Sequence, residues 1–141
     1  MSRIYWDTML FIYWLEDNAK FARRIEEVHS RMKQRNDRLI TASFAVAEVL
    51  AGCYRQGKPE LAEASQRWLE RIVAEILPFT NETSDYYGRI RAMPGVSSAD
   101  AIHLATAAQA GTDLFLTSDK RLANKIIPGI QFIGALDTQL L

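Results

Sequence analysis

The fold is decided by SSADAIHLATAAQAGTDLFLTSD, residues 97–119. Ser97 or Ser98 supplies the hydroxyl that starts a helix, and the Ala-rich run ADAIHLATAAQA continues it to Gly111. Glycine is the residue that closes a helix most readily, because it takes the left-handed backbone conformation without a Cβ clash. Leu114-Phe115-Leu116-Thr117 then reads as a buried strand, and Ser118-Asp119 starts a short helix to about Asn124. The small residues of the Ala-rich helix suit close packing against a sheet.

The same alternation extends outward. Arg3 to Trp6 (RIYW) is a short first strand, and Met9 to Leu15 after Asp7-Thr8 is a buried helix. An amphipathic helix runs from Asn18 to about Arg35, with Phe21, Ile25, Val28 and Met32 along one side. Leu39 to Ala42 is a second strand, and Ser43 caps the helix FAVAEVLAGCY, which ends near Gly57. Pro59 opens a further helix to about Ala74. Ile76-Leu77-Pro78-Phe79 is a third strand whose proline favours an edge. Thr80 or Asn81 caps a helix that stops at Pro94-Gly95, and Pro128-Gly129 turns the chain into a last strand, Ile130 to Ile133. Strands alternating with helices predict an α/β fold, a three-layer αβα sandwich with a mostly parallel central sheet. In such sheets, sites form at the carboxyl ends of strands, near a switch in strand order.

The 141 residues are expected to form one domain, residues 1–141. Lys+Arg and Asp+Glu both number 17, so total charge gives no support to polyanion binding. Between Lys20 and Arg38 seven basic residues outnumber three acidic ones, which reads first as a solvated helix surface. Cys53 is the sole cysteine and has no partner for an intrachain disulfide. The N-terminal apolar residues are interrupted by Asp7, Glu16 and Asp17, unlike a signal peptide or a spanning helix. The expected setting is cytoplasmic, without membrane association.

Four acids fall where sites form. Asp7 directly follows the first strand, and Asp119 sits two residues beyond Thr117. Glu48 lies about a turn and a half into the helix after the second strand, and Asp100 in the first turn of the Ala-rich helix. Asp7 also suits a helix cap, Ser97-x-x-Asp100 fits a capping box, and Asp119 suits a first-turn acid facing the helix dipole. Glu48 has no such role: its helix is apolar on nearly every face and carries no Lys or Arg before Arg55. A carboxylate in that setting must be paired, protonated, metal-bound or turned to a cleft. Converging carboxylates without clustered His or Cys suit Mg²⁺ or Mn²⁺. Such an ion polarises a phosphoryl oxygen and activates water for phosphodiester hydrolysis.

At these residues the sequence resembles the PIN-domain family, and within it the VapC-type toxins of toxin–antitoxin pairs. The segments that carry the likeness are YWDTMLFIYWL around Asp7, TASFAVAEVLAGCYR around Glu48, SSADAIHLATAAQAGTDLFLTSD with Asp100 and Asp119, and the trailing KRL. The resemblance implies a PIN-like sandwich and a Mg²⁺- or Mn²⁺-dependent ribonuclease acting on RNA. It also implies homodimerisation and inhibition by a cognate antitoxin. By position, Asp7, Glu48, Asp100 and Asp119 take the family's acidic places, as metal ligands and catalytic residues. Thr117 matches the hydroxyl residue that supports the last acid, and Ser118 stands where many relatives have Asn.

Lys120 and Arg121, beside Asp119, are candidate phosphate contacts. His103 is expected to be a packed or hydrogen-bonded helix residue, and His29 has no metal-ligand spacing. Trp6, Tyr13, Trp14 and Trp68 read as core or dimer contacts. A phosphotransfer receiver would need paired acids after the first strand, and a haloacid-dehalogenase-like phosphatase a second Asp where Met9 stands. The alternative function is a catalytically idle PIN domain that binds protein or RNA.

Overall fold

The computed structural model describes residues 1–137. Within them the chain runs β1 (Arg3–Trp6), α1 (Thr8–Leu15), α2 (Ala22–Arg35), β2 (Arg38–Ala42), α3 (Ser43–Arg55) and α4 (Pro59–Ile72). It continues through β3 (Glu75–Leu77), α5 (Asn81–Arg91), α6 (Ser98–Ala110), β4 (Thr112–Thr117) and β5 (Ile130–Ala135). The five strands form one sheet in the order β3-β2-β1-β4-β5, and all four pairings are parallel.

Side chains of a strand point alternately to the two faces of the sheet, and here they split cleanly between two cores. Ile4, Trp6, Leu39, Leu114 and Leu116 join a cluster with Leu10 and Phe11 of α1, Ile25, Val28 and Met32 of α2, Val49 of α3 and Leu69 of α4. Tyr5, Ile40, Ala42 and Phe115 join the other, with Ile90 of α5 and Ala101, Leu104, Ala105, Ala107 and Ala108 of α6. The sheet is thus the middle layer of an αβα sandwich. The alanines bring α6 close to the sheet, as the sequence suggests.

Chain direction sets the location of the site. From β1 the chain winds outward through β2 to β3 at one edge, then returns to place β4 on β1's other side. The change of direction lies between β1 and β4, where Trp6 is in register with Leu116. Asp7 N–H donates to the Leu116 carbonyl (3.3 Å), extending that ladder to the last residues of both strands.

Several boundaries differ from the sequence expectation. The second helix starts at Ala22, and Asn18 instead accepts the Lys20 and Phe21 N–H groups with its side chain at 2.9 and 3.0 Å. Ser43 is the first residue of α3; Ala42 holds the cap position, and no side chain caps that helix. The expected helix from Ser118 to Asn124 is absent, replaced by turns. There the Asp119 carboxylate accepts the Arg121 N–H (3.0 Å) and Thr117 Oγ1 accepts the Asp119 N–H (3.0 Å). These local side-chain bonds compete with a helical ladder, leaving three-residue turns such as Leu122 N–H to the Asp119 carbonyl. Ser97 does cap α6, Gly111 closes it with φ +72, and β3 is an edge strand.

Gly129 turns the chain into β5 with φ +99, and a Cβ there would lie 2.5 Å from the Ala108 carbonyl oxygen. Both the backbone angle and the approach to α6 require glycine. Gly129→Ala is expected to destabilise the fold by roughly 2–4 kcal/mol in urea unfolding. A loss below about 1 kcal/mol would contradict this packing.

Candidate active site

Asp7 stands at the N-cap of α1 in extended conformation, yet its side chain makes no capping hydrogen bond. The carboxylate turns to the neighbouring strand end, where the Thr117 hydroxyl donates to Oδ2. Oδ1 is shut off from solvent and has no hydrogen-bond partner among the described residues. Burial pushes the Asp7 carboxyl up to about 6, and the Asp100 charge adds to the rise. The Thr117 hydrogen bond, His103 and the Leu10 N–H oppose it, the last without completing a hydrogen bond. An acid that only capped a helix would be held the other way.

Thr117 is fully buried, and its one hydroxyl serves two acids. It donates to Asp7 and accepts the Asp119 backbone N–H at 3.0 Å. The Asp119 carboxylate is gripped by Arg121, Nε to Oδ1 at 3.1 Å and a terminal guanidinium nitrogen to Oδ2 at 2.9 Å. The Arg121 hydrogen bond, outweighing a small burial penalty, holds Asp119 below its ordinary value. Asp100 donates its N–H to Ser97 Oγ at 3.1 Å, but the return half of a capping box is not made. Its charge acts on both Asp7 and Arg121.

Glu48 lies on a helix that is more open than its composition suggests. Only Ala45, Val49 and Cys53 of α3 are buried, and Tyr54 is 60% exposed. The residues between them are half-buried or exposed, and the Glu48 side chain keeps a third of its exposure. It is nevertheless paired. His103 Nε2 lies 2.8 Å from Glu48 Oε1, and the Thr8 hydroxyl donates to the same oxygen. Thr8 Oγ1 is also 3.0 Å from Nε2, and Tyr5 Oη is 2.7 Å from Nδ1. Burial would raise the Glu48 carboxyl, but the His103 and Thr8 hydrogen bonds more than offset it and leave it lowered.

His103 is thus the buried, hydrogen-bonded helix residue expected, and it touches Glu48. Thr8 and Tyr5 escaped sequence reasoning; the only signals were a hydroxyl directly after Asp7 and a buried phenol in need of a partner. Ser118 makes no hydrogen bond among the described residues. Lys120 pairs with Asp137 at 2.8 Å, and Arg121 with Asp119, so both candidate phosphate contacts bind acids of this chain.

The four acids therefore meet around the ends of β1 and β4 but do not close on a point. Among the described residues no three His, Cys, Asp or Glu side chains stand close enough to hold an ion. The donor chemistry does fit a hard cation: carboxylates and hydroxyls, with an orphaned buried oxygen at Asp7 Oδ1. A lone buried acceptor beside other carboxylates is costly unless a positive group meets it.

The fold is shared with known proteins. The chain is similar to VapBC2 from Rickettsia felis, solved bound to a DNA fragment from their promoter. The TM-score is 0.75 at 14% identity, over 94% of this chain and 98% of that one. It is similar to VapBC-5, of the VapBC toxin–antitoxin family, from Mycobacterium tuberculosis (TM-score 0.64, 18% identity, 94% and 98% covered). A toxin–antitoxin complex from Klebsiella pneumoniae gives 0.64 at 17% identity, over 90% and 94%. These likenesses establish the fold. Among curated proteins none is similar enough in sequence to count as a relative. The model of the PIN domain matches residues 4–126, nearly the whole span from β1 through the turns after β4. The chain belongs to the PIN-domain family.

Proposed function

We propose that this protein is a metal-dependent endoribonuclease and the toxin of a toxin–antitoxin pair. Asp7, Glu48, Asp100 and Asp119 would hold Mg²⁺ or Mn²⁺. The observation that carries this reading is the buried, unpartnered Oδ1 of Asp7 beside other acids at the β1–β4 switch point. The toxin role draws on the fold's likeness to three toxin–antitoxin assemblies, and with it come a cognate antitoxin, RNA as substrate and a homodimer. A cytoplasmic setting belongs to the same reading; no described helix is long and apolar enough to cross a membrane.

When bound, the ion would polarise a phosphoryl oxygen and activate the attacking water. The chain's own part is orientation. Thr117 fixes one oxygen of Asp7 and Thr8 one oxygen of Glu48, which would leave the other oxygen of each acid for an ion. Asp100, whose carboxylate has no hydrogen bond among the described residues, would turn toward a cation or orient water. Arg121 supplies the counter-charge for Asp119 and, once released, a guanidinium suited to phosphate.

One observation favours a second reading, a PIN domain that binds RNA or protein without cutting it: Arg121 already occupies both oxygens of Asp119. Cleavage assays on structured RNAs separate the two. Wild type is expected to cut with Mg²⁺ or Mn²⁺ and not with EDTA, and Asp7→Asn and Asp100→Asn to lose about a hundredfold or more. Equal cleavage by all three proteins, or none by wild type across metals and RNAs, would reject the assigned mechanism.

Asp7 also makes stability depend on pH in metal-free protein. Its carboxyl is raised from 3.8 to about 6 on folding, so the folded state favours the protonated form. Stability is therefore full below the unfolded value and is lost as pH rises through about 6. In EDTA, wild type is expected to lose up to about 3 kcal/mol between pH 4 and 7.5 through this group, and Asp7→Asn to lack that component. Urea unfolding at both pH values checks it; parallel behaviour of the two proteins would show that Asp7 ionises freely.

A further inference from the structure

We infer that His103 is a positioning residue that, with Tyr5 behind it, aims a single oxygen of Glu48 into the acidic site; this rests on the metal-binding reading above. Nothing on Glu48's own helix holds its side chain: α3 carries no other group bonded to it, and a third of the side chain is exposed. Its partners come from α1 and α6. His103 is buried, 4% exposed, with its ring tilted against Phe44 at 5.3 Å and edge-on to Tyr5 at 5.9 Å.

The chemistry of the ends sets the directions along Glu48, His103 and Tyr5; Nε2 also lies 3.0 Å from Thr8 Oγ1. An ionised carboxylate only accepts, so Nε2 carries the proton that it donates to Glu48 Oε1. A neutral imidazole then has an unprotonated Nδ1, which accepts from the Tyr5 hydroxyl at 2.7 Å. Tyr5 is fully buried in β1, two residues before Asp7, so the sheet itself anchors the relay. The Thr8 hydroxyl donates to the same Oε1.

Two donors therefore converge on Oε1, and Oε2 is the oxygen left without a partner among the described residues. Asp7 is arranged the same way: Oδ2 takes the Thr117 hydroxyl and Oδ1 is left over. Two acids from separate elements each present one committed and one free oxygen. Such a pattern suits single-oxygen ligation with orientation set by neighbours, the task that outer partners perform in metal sites. If the His103 contact were only packing, the identity of the nitrogen facing Glu48 would not matter.

The test is Mn²⁺ binding by isothermal titration calorimetry, with no turnover required, on wild type, His103→Asn, His103→Gln, Glu48→Ala and the double variants. Asparagine keeps an amide near the ring's Nδ1 position, and glutamine reaches the Nε2 position facing Glu48. His103→Asn is expected to weaken Mn²⁺ binding about tenfold, and His103→Gln to recover most of that loss. In the Glu48→Ala background His103→Asn is expected to change little, because it acts through Glu48. Equal losses for Asn and Gln, or an undiminished loss in Glu48→Ala, would overturn the inference while leaving the metal site standing. No Mn²⁺ binding by wild type would remove the reading of the site and the inference with it. Should His103→Asn fail to fold, Tyr5→Phe makes the same test: it removes the donor that fixes the ring's tautomer. A smaller loss that disappears in Glu48→Ala is expected, and a loss that persists there counts against the inference.

Discussion

The hydroxyl of Thr117 joins the fold to the site. It lies at the last residue of β4, beside the end of β1, where parallel pairing aligns Trp6 with Leu116. Through it the Asp7 carboxylate and the Asp119 backbone are tied to one buried oxygen. That geometry requires β1 and β4 to be neighbours running in the same direction. The strand order supplies this by sending the chain out through β2 and β3 before β4 returns to the centre. A side chain lacking the hydroxyl would leave Asp7 with neither oxygen bonded, in surroundings that already raise its proton affinity.

Around this point the molecule holds a conflict that ordinary packing would avoid. Asp7, Glu48 and Asp100 gather at the ends of β1 and β4; Arg121 supplies a counter-charge to Asp119, and His103 meets Glu48 with a hydrogen bond. The fold accommodates them by hydrogen-bonding one oxygen of Asp7 and one of Glu48, and by letting Arg121 draw Asp119 outward. An arrangement that keeps one buried oxygen unsatisfied gives up stability where a ligand can restore it. That is the physical reason to read the cluster as a binding site rather than as a set of helix caps.

Much of this was legible in the sequence, for identifiable reasons. Gly111 and Ser97 mark the limits of α6 through local backbone chemistry, and the short apolar runs mark the strands, so the sandwich follows from local signals. The position of Asp7 after β1 is local too. What Asp7 bonds to is not, since Thr117 lies 110 residues away. Glu48 drew attention through the apolar helix around it, yet that helix is partly open, and its actual partner is 55 residues distant on α6. The turns after Thr117 were missed because side-chain bonds from Thr117 and Asp119 compete with a helix, which periodicity does not reveal. Arg121's grip on Asp119 was hidden likewise: the sequence offered a cation beside an acid, without saying which phosphate or carboxylate it serves.

Asp7 Oδ1 is proposed as a ligand of a divalent cation. Anomalous diffraction from crystals grown with Mn²⁺ tests this most directly. A peak is expected about 2.1 Å from Asp7 Oδ1, with Arg121 withdrawn from Asp119. A fully ordered site with no anomalous peak at Asp7, and Arg121 still bound to both oxygens of Asp119, would contradict it.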